Sequence, residues 1–561
     1  MPALKPVLFL ATRPNPERTS VLQAVLQLGD HVNECVQSSS DSVTPDLLDY
    51  RAVIVDGAYG VQPGAADRLH AFAQAGGAVL VTGLTEEGAS PALTALLGVA
   101  PEASRPLGEI FAKRSASASD LLLRLDAEFP VVDRLTPLRI AEDAGVSVLL
   151  HVNWALKDYP VAVERRLGRG RIVATSLGQT TQALHVPAFG ALLRRALRPP
   201  QTESTTRPLR AAIVGYGEGM GYVHGAGVLA TEGLELAAIC DRAPERLELA
   251  KAAFPGVALL TDSAALARDA DIDLVFVATP PVTHAAITRH LLEAGKHVAC
   301  EKPLCLTTAE ADALIAIARR NGAMLTVNQN RRWDGDFRAV QRAVRTGLLG
   351  DLFNIETFVG GFEHPCRYWH SDATVSGGAA FDWGSHYIDW TLQLMPGLPT
   401  TVSAVAHKRV WYDVTNADQV RVRMVWDDGR EAEFIASDVA ALRKPKFYIQ
   451  GTAGTLEGRY RPLSFERIDD AMGYMREDPH FAEAPADLTL ARYESGYAVI
   501  ETHLPPEPKV SFAFHRNLAD HLLLGDALAV TPESVRNVIA VLEAAELSAA
   551  RNGAPVALTQ L

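Results

Sequence analysis

Cysteine is scarce in this chain, positive charge is in deficit and no apolar run is long, and each shortage closes off a class of protein. Only five of 561 residues are cysteine: Cys35, Cys240, Cys300, Cys305 and Cys366. They are odd in number, scattered and without a CxxC pair, which argues against a disulfide framework or a zinc site and fits the reduced thiols of a cytoplasmic protein; no metal is expected. Lys and Arg number 53 against 66 Asp and Glu, a formal net charge of -13, so neither nucleic acid nor an anionic membrane is expected as a partner. No stretch approaches the roughly 20 apolar residues of a membrane span. The first apolar run, Val7 to Ala11, is too short for a signal-peptide core and reads as a buried strand.

What is present is globular. The hydrophobic fraction is 48% and the charged fraction 21%, and the length predicts about three domains. The first 200 residues alternate short β-branched runs with amphipathic segments, the pattern of a parallel α/β sheet. Strands are expected at Val7 to Ala11, Ala52 to Val55, Ala78 to Val81, Ser147 to Leu150, Val161 to Glu164 and Arg171 to Thr175. Helices are expected near 17–28, 63–75 and 187–197. Residues 201–208, polar and following two prolines, read as a linker. A second α/β unit follows over 209–329, with strands Leu209 to Val214, Leu236 to Cys240, Leu274 to Ala278 and His297 to Cys300. Over 330–561 the strands lengthen, as in Gln419 to Val425 and Glu433 to Ala436, which predicts a mainly antiparallel open sheet. A last helix, capped by Thr531 with Pro532 at its first position, carries Val535, Val538, Ile539 and Leu542 on one stripe and ends by Gly553.

Strand Leu209 to Val214 runs into Gly215-Tyr-Gly217-Glu-Gly219-Met-Gly221. Glycines there let the backbone turn sharply and approach a pyrophosphate at a helix N-terminus. The spacing is a G-x-G-x-x-x-G variant, with Gly221 one place later than usual. Twenty residues on, Asp241 ends the next strand, where a carboxylate can accept both ribose hydroxyls and favours NAD. Arg242 beside it leaves NADP open. Further along, Asp382, His386 and Asp389 fall at i, i+4 and i+7, one face of a helix. Alcohol oxidation needs a base near neutral pKa and a donor to steady the alkoxide; His386 fits the first and Lys302 the second.

Three segments, Ala278-Thr-Pro-Pro with His284, Glu301-Lys302-Pro303, and Gly377-Gly-Ala-Ala-Phe-Asp382-Trp-Gly-Ser-His386, resemble in order and spacing the glucose-fructose oxidoreductase, inositol dehydrogenase and rhizopine-catabolism (Gfo/Idh/MocA) family over about residues 208–561. The resemblance implies a Rossmann domain followed by an α+β substrate and oligomerisation domain. It implies hydride transfer between NAD, or NADP, and a secondary alcohol of a sugar or polyol, with Lys302, Asp382 and His386 catalytic. Gly215, Gly217, Gly221, Asp241, Arg242, Thr279, Pro280, His284 and Glu301 would face the cofactor, and a homo-oligomer, dimer or tetramer, is implied. Arg331, Trp369 and His370 are candidate substrate contacts, the segment from Arg367 to His370 being either a sugar-pocket wall or a loop anchored by its own aromatics. Asp389, Trp383, Tyr387 and Trp390 are read as packing residues.

The segment Tyr159 to Gly178, followed by Pro187-Ala-Phe, resembles trehalose-utilisation (ThuA-like) domains and implies a flavodoxin-like sandwich over residues 1–200. Where that family places histidines this chain has Thr82-Gly-Leu84 and Gln179, which favours an accessory role, and Cys35 sits in no nucleophile elbow. Two other classes of function remain open: a redox-neutral lyase, isomerase or glycosidase that retains NAD for transient oxidation of a ring carbon, and a non-catalytic dinucleotide sensor.

Overall fold

A computed structural model of the chain describes residues 7–11, 15–26, 32–36, 46–61, 64–200, 207–217, 219–366, 368–461, 484–496 and 498–560. Residues 201–206 of the expected linker and Arg367 lie outside them. The chain divides into two compact units, Met1–Thr206 with Asp520–Ala527, and Arg207–Ala519 with Leu528–Leu561.

The first unit is built on strands β1 (Val7–Ala11), β2 (Val32–Val36), β3 (Ala52–Asp56), β4 (Ala78–Thr82), β5 (Val99–Pro101), β6 (Leu107–Arg114), β7 (Glu128–Arg134), β8 (Leu138–Ile140), β9 (Val146–Trp154), β10 (Lys157–Leu167) and β11 (Gly170–Thr175). Nine of them form one sheet in the order β2-β1-β3-β4-β11-β10-β9-β6-β7, while β5 and β8 pair separately. Strands β2 through β11 in that order run parallel, and β11 through β7 antiparallel. The parallel sheet expected here is therefore found over β2 to β11, and the rest of the sheet is antiparallel. The reason is in the connections: β10 and β11 are joined by a two-residue Gly168–Arg169 turn with Gly168 at φ 57°, which only an antiparallel pair allows. In the parallel half, side chains alternate between two cores. Val7, Phe9, Ile54 and Leu80 pack with the helices Pro16–Leu26 and Pro187–Ala196. Leu8, Val53, Val55 and Val79 pack with Ala65–Gln74 and Pro91–Leu97.

The segment Asp520–Ala527 belongs to this first unit although it lies far along the chain. Arg195 grips Asp526 through both carboxylate oxygens at 2.9 and 2.7 Å and donates to the carbonyls of Leu121 and Leu123. The side chains are 5% and 9% exposed.

The second unit opens with β12 (Leu209–Val214), β13 (Leu234–Cys240), β14 (Ala258–Leu260), β15 (Leu274–Val277), β16 (His297–Cys300) and β17 (Leu325–Val327), all parallel in the order β14-β13-β12-β15-β16-β17. This is the doubly wound Rossmann order, and it places a crevice at the carboxyl ends of β12 and β15, where the winding reverses. The second sheet comprises β18 (Leu352–Gly360), β19 (Thr401–His407), β20 (Gln419–Val425), β21 (Glu431–Ser437), β22 (Phe447–Gly451), β23 (Gly454–Tyr460), β24 (Ala486–Glu494), β25 (Ala498–Leu504) and β26 (Val556–Ala557). It is antiparallel throughout its order β25-β24-β23-β22-β18-β21-β20-β19-β26 except at β18 and β21. The helices Ala379–Leu394 and Pro532–Ala550 pack on it; Trp390 stacks on Phe337 at 4.9 Å and tilts against Phe447. Thr531 caps the last helix by accepting from Ser534 N.

Asp526→Ala leaves the Arg195 guanidinium buried without its carboxylate, a loss of about 3–5 kcal/mol. Chemical denaturation followed by probes in the first unit is expected to show it, and an unchanged midpoint would mean that this segment does not hold that unit.

Candidate active site

The turn after β12 builds the first half of the site. Gly215 sits at φ 91°, closed to most side chains, and its N–H donates to Cys240 O at 2.8 Å. Gly221, in the first turn of the helix Met220–Leu229, takes the part of the close-packing glycine despite its offset, since a Cβ there would lie 2.7 Å from Gly215 O. Gly217 and Gly219 have open space where a Cβ would stand. This bare backbone at a helix N-terminus fits a dinucleotide pyrophosphate. The cleft over it has a volume of about 330 Å³, and its lining includes Gly217, Gly221, Thr279, Pro280 and Glu301. Gly215, Asp241, Arg242 and His284 are not among its lining residues. Asp241 instead accepts from the backbone N–H groups of Tyr216 (2.7 Å) and Ala243 (2.9 Å), bracing the glycine turn. Arg246, which the sequence did not single out, lines the cleft, with its guanidinium 3.5 Å from Asp241.

The second half lies where β16 ends. Glu301 Oε1 takes hydrogen bonds from His224 Nε2 (2.8 Å) and Asn328 Nδ2 (2.7 Å). Burial pushes this carboxyl up, but those two donors and the charges of His224 and Lys302 outweigh it and hold the pKa below the usual value. His284 is buried with its ring nitrogens 2.7 and 2.6 Å from the carbonyls of Pro303 and Thr279, tying together two loops that flank the cleft. Burial lowers its pKa. Lys302 reaches across to the helix Ala379–Leu394, with Nζ 2.5 Å from Asp382 Oδ1 and 3.3 Å from Asp382 O. That helix starts where Gly377 and Gly378, at φ 90° and 110°, break the preceding turn.

One turn on, His386 is 4% exposed. Its pKa lies well below the ordinary histidine value because burial penalises the cation, and Lys302 and Arg331 repel it further. Gln329 donates from Nε2 to Ser385 O at 2.9 Å, so its Oε1 is the atom that faces His386 Nδ1 at 3.0 Å. The proton of the neutral ring therefore sits on Nδ1, and Nε2 keeps its lone pair. A second cleft, of about 500 Å³, is lined by His386, Arg331 and Trp383 among others. The two clefts share Met220, Glu301, Lys302, His370 and Asp382, and so meet at the lysine–aspartate pair.

Among the remaining candidates, Trp369 lines the first cleft and stacks on His370 at 3.7 Å. Asp389 is 1% exposed and bonded twice to Arg332, at 2.5 and 2.8 Å, anchoring the helix that carries Asp382 and His386. Tyr387 and Trp390 are core residues, as read from the sequence. Trp383 departs from that reading: it lines the second cleft, with the Arg331 guanidinium 5.6 Å from its ring centre. Gln329 and Asn328 were missed, although they immediately precede the Asn330-Arg331-Arg332 run. Among the described residues no group of three or more His, Cys, Asp or Glu could hold a metal, and Cys240, Cys300, Cys305 and Cys366 are free thiols.

A glycine-turned dinucleotide crevice in a Rossmann sheet, opening onto a lysine, an aspartate and a neutral imidazole, defines a nicotinamide-dependent oxidoreductase. Residues 209–329 match the family described as "Oxidoreductase family, NAD-binding Rossmann fold" and residues 337–457 the "GFO/IDH/MocA C-terminal domain". The chain is 28% identical over 347 residues, 60% of its length, to the scyllo-inositol 2-dehydrogenase (NADP(+)) IolW of Bacillus subtilis strain 168, of which it covers 92%. It is 29% identical over 296 residues to the inositol 2-dehydrogenase of Rhizobium meliloti strain 1021, 52% of this chain and 86% of that one. Among solved structures, an NAD-binding protein from Listeria innocua aligns with a TM-score of 0.53 at 27% identity, over 63% of this chain and 97% of that one.

His515, 3% exposed, contacts His224 Nδ1 through Nε2 at 3.0 Å, and its own Nδ1 has no hydrogen-bond partner among the described residues. Burial, then His224, holds its pKa well below the ordinary value. The unfolded chain takes up this proton below about pH 6.5 while the folded chain does not. Acid therefore favours unfolding through this group, and its contribution to stability is lost as pH falls. Relative to the wild type, His515→Phe is expected to gain up to about 1.4 kcal/mol per pH unit below about pH 6.5. Parallel curves of unfolding free energy against pH would contradict this.

Proposed function

We propose that the second unit oxidises a secondary alcohol of a sugar or polyol, or reduces the corresponding ketone, with Lys302, Asp382 and His386 as the catalytic groups. The observation that carries this reading is Lys302 Nζ, 2.5 Å from Asp382 Oδ1 at the junction of the two clefts, with neutral His386 on the wall of the second. A bound nicotinamide supplies the hydride acceptor or donor.

In the oxidising direction, the free Nε2 of His386 receives the hydroxyl proton, and the carbonyl oxygen of Gln329 accepts from Nδ1–H and steadies the cation that results. The ammonium of Lys302 donates to the oxygen on which negative charge grows. Asp382 aims that ammonium. Thr279, Pro280 and the Gly215–Gly221 turn bind the cofactor, with Glu301 closing the cleft beside Lys302. Asp241, bracing the turn, favours NAD, and Arg246 offers the cleft a cation. Arg331 and His370, on the wall of the second cleft, face the sugar, whereas Trp369 lines only the first.

The first unit is accessory on this reading. At the carboxyl ends of its parallel strands, where such sheets bind ligands, Arg18 is 5% exposed; it donates to Gly178 O and Thr82 O and lies 3.4 Å from Asp56. Gln179 there is bonded to Thr136 and to its own turn.

A screen of free sugars, glycosides and inositols with NAD and NADP, read by absorbance of the reduced cofactor, is expected to find an oxidised polyol. Substrate consumption without reduced cofactor accumulating would instead favour a redox-neutral lyase or isomerase. Lys302→Ala is expected to keep dinucleotide affinity within about threefold while turnover falls about 10² to 10⁴-fold. Full activity in that variant would remove Lys302 from the mechanism.

A further inference from the structure

Asp438 stands just past the end of β21, on the wall of the second cleft that also holds His386, Lys302 and Asp382. Its backbone is pinned on three sides. The N–H donates to Asp418 O at 2.8 Å, and the carbonyl accepts from Trp411 Nε1 at 3.1 Å and from Glu363 N at 3.2 Å. Its carboxylate, by contrast, has no hydrogen-bond or ion-pair partner among the described residues. Burial pushes its pKa up to about 6, and the carboxylates of Asp382, Asp418 and Glu363 add to the rise while Lys408 opposes it.

The neighbouring carboxylate shows what an engaged group looks like here. Asp418, also on the cleft wall, accepts from Lys408 Nζ at 2.9 Å, from Val410 N at 2.6 Å and from Arg409 N. It has no capacity left for a ligand and serves to fold the 408–411 segment. Asp438 is built just as rigidly, but its carboxylate is left open to the cleft, free to accept hydrogen bonds from whatever enters it. The cleft is large enough for a sugar-sized ring, and the cations of the site, Lys302 and Arg331, are claimed by the reacting oxygen and by the Trp383 face.

Resting on the dehydrogenase reading above, the geometry points to Asp438 as the residue that accepts hydrogen bonds from adjacent hydroxyls of the substrate, away from the carbon being oxidised. It thereby selects a neutral polyhydroxylated ring over an acidic or phosphorylated sugar. Two vicinal hydroxyls match the two oxygens of one carboxylate, each hydroxyl donating once. A uronate or sugar phosphate would bring a second anion against it with no cation between.

The test is steady-state kinetics of the full chain and of its Asp438→Asn and Asp438→Ala variants. The probes are scyllo-inositol, myo-inositol, D-glucose, D-glucuronate, D-glucose 6-phosphate and D-glucosamine, and dinucleotide affinity is measured alongside as a check on folding. The wild type is expected to prefer the neutral rings. Both variants are expected to raise KM for the preferred neutral ring about tenfold or more, with kcat within about threefold and dinucleotide affinity unchanged. The preference for D-glucose over D-glucuronate is expected to shrink about tenfold in Asp438→Asn. An unchanged KM in a variant that turns over would overturn the assignment, as would a fall in kcat alone, which would place Asp438 in the chemistry rather than in recognition. D-glucosamine as the preferred wild-type substrate would overturn it in favour of an ammonium partner. If the wild type oxidises none of the probes, the dehydrogenase reading itself fails and this assignment falls with it; oxidation of the acidic sugars but of no neutral ring sinks this assignment alone. Turnover with no change on mutation sinks this assignment alone.

Discussion

An ammonium group held against a carboxylate at the mouth of a Rossmann crevice is the constraint around which the second unit is organised. Lys302 and Asp382 are 80 residues apart and come from different layers, one from the end of a parallel strand and the other from a helix on the antiparallel sheet. Neither side chain is fully buried, at 21% and 33% exposure, so the pair adds little to stability by itself. Its value is positional, because it fixes a charged donor where two clefts join. The cost of arranging this is carried by the fully buried contacts behind it.

Those contacts are polar and local to the site. Arg332 locks Asp389 and also donates to the Ala529 carbonyl, so the helix bearing Asp382 and His386 cannot rotate freely about its axis. Gln329, held by the Ser385 carbonyl, sets the tautomer of His386. Glu301 is held ionised by His224 and Asn328 immediately beside the lysine. Each of these groups lies in a low-dielectric interior where an unmatched partner would be expensive. The result is an imidazole that stays neutral and a lysine whose carboxylate partner is fixed.

Much of this frame was legible from residue spacing. Strands β1, β12, β16 and β20 begin and end where their β-branched runs do. The glycine turn, the Glu301-Lys302-Pro303 segment and the four-residue step from Asp382 to His386 are short-range patterns, and each maps onto one turn or one helix face. What spacing could not supply was proximity between distant elements. Arg246 reaches the cleft from a helix beyond Asp241, Gln329 meets His386 across 57 residues, and Asp438 joins the cleft only because β21 runs beside β18 and β20. The antiparallel half of the first sheet was missed because short alternating strands do not declare their direction. The return of Asp520–Ala527 to the first unit has no local signal at all.

The most direct measurement of this arrangement is a crystal structure of the chain with bound nicotinamide dinucleotide. The account predicts the pyrophosphate on the Gly215–Gly221 turn, and the nicotinamide ring beside Thr279 and Pro280 with Lys302 Nζ and His386 Nε2 on the same side of it, facing the second cleft. A dinucleotide bound elsewhere, or a nicotinamide ring remote from either of those two nitrogens, would contradict it.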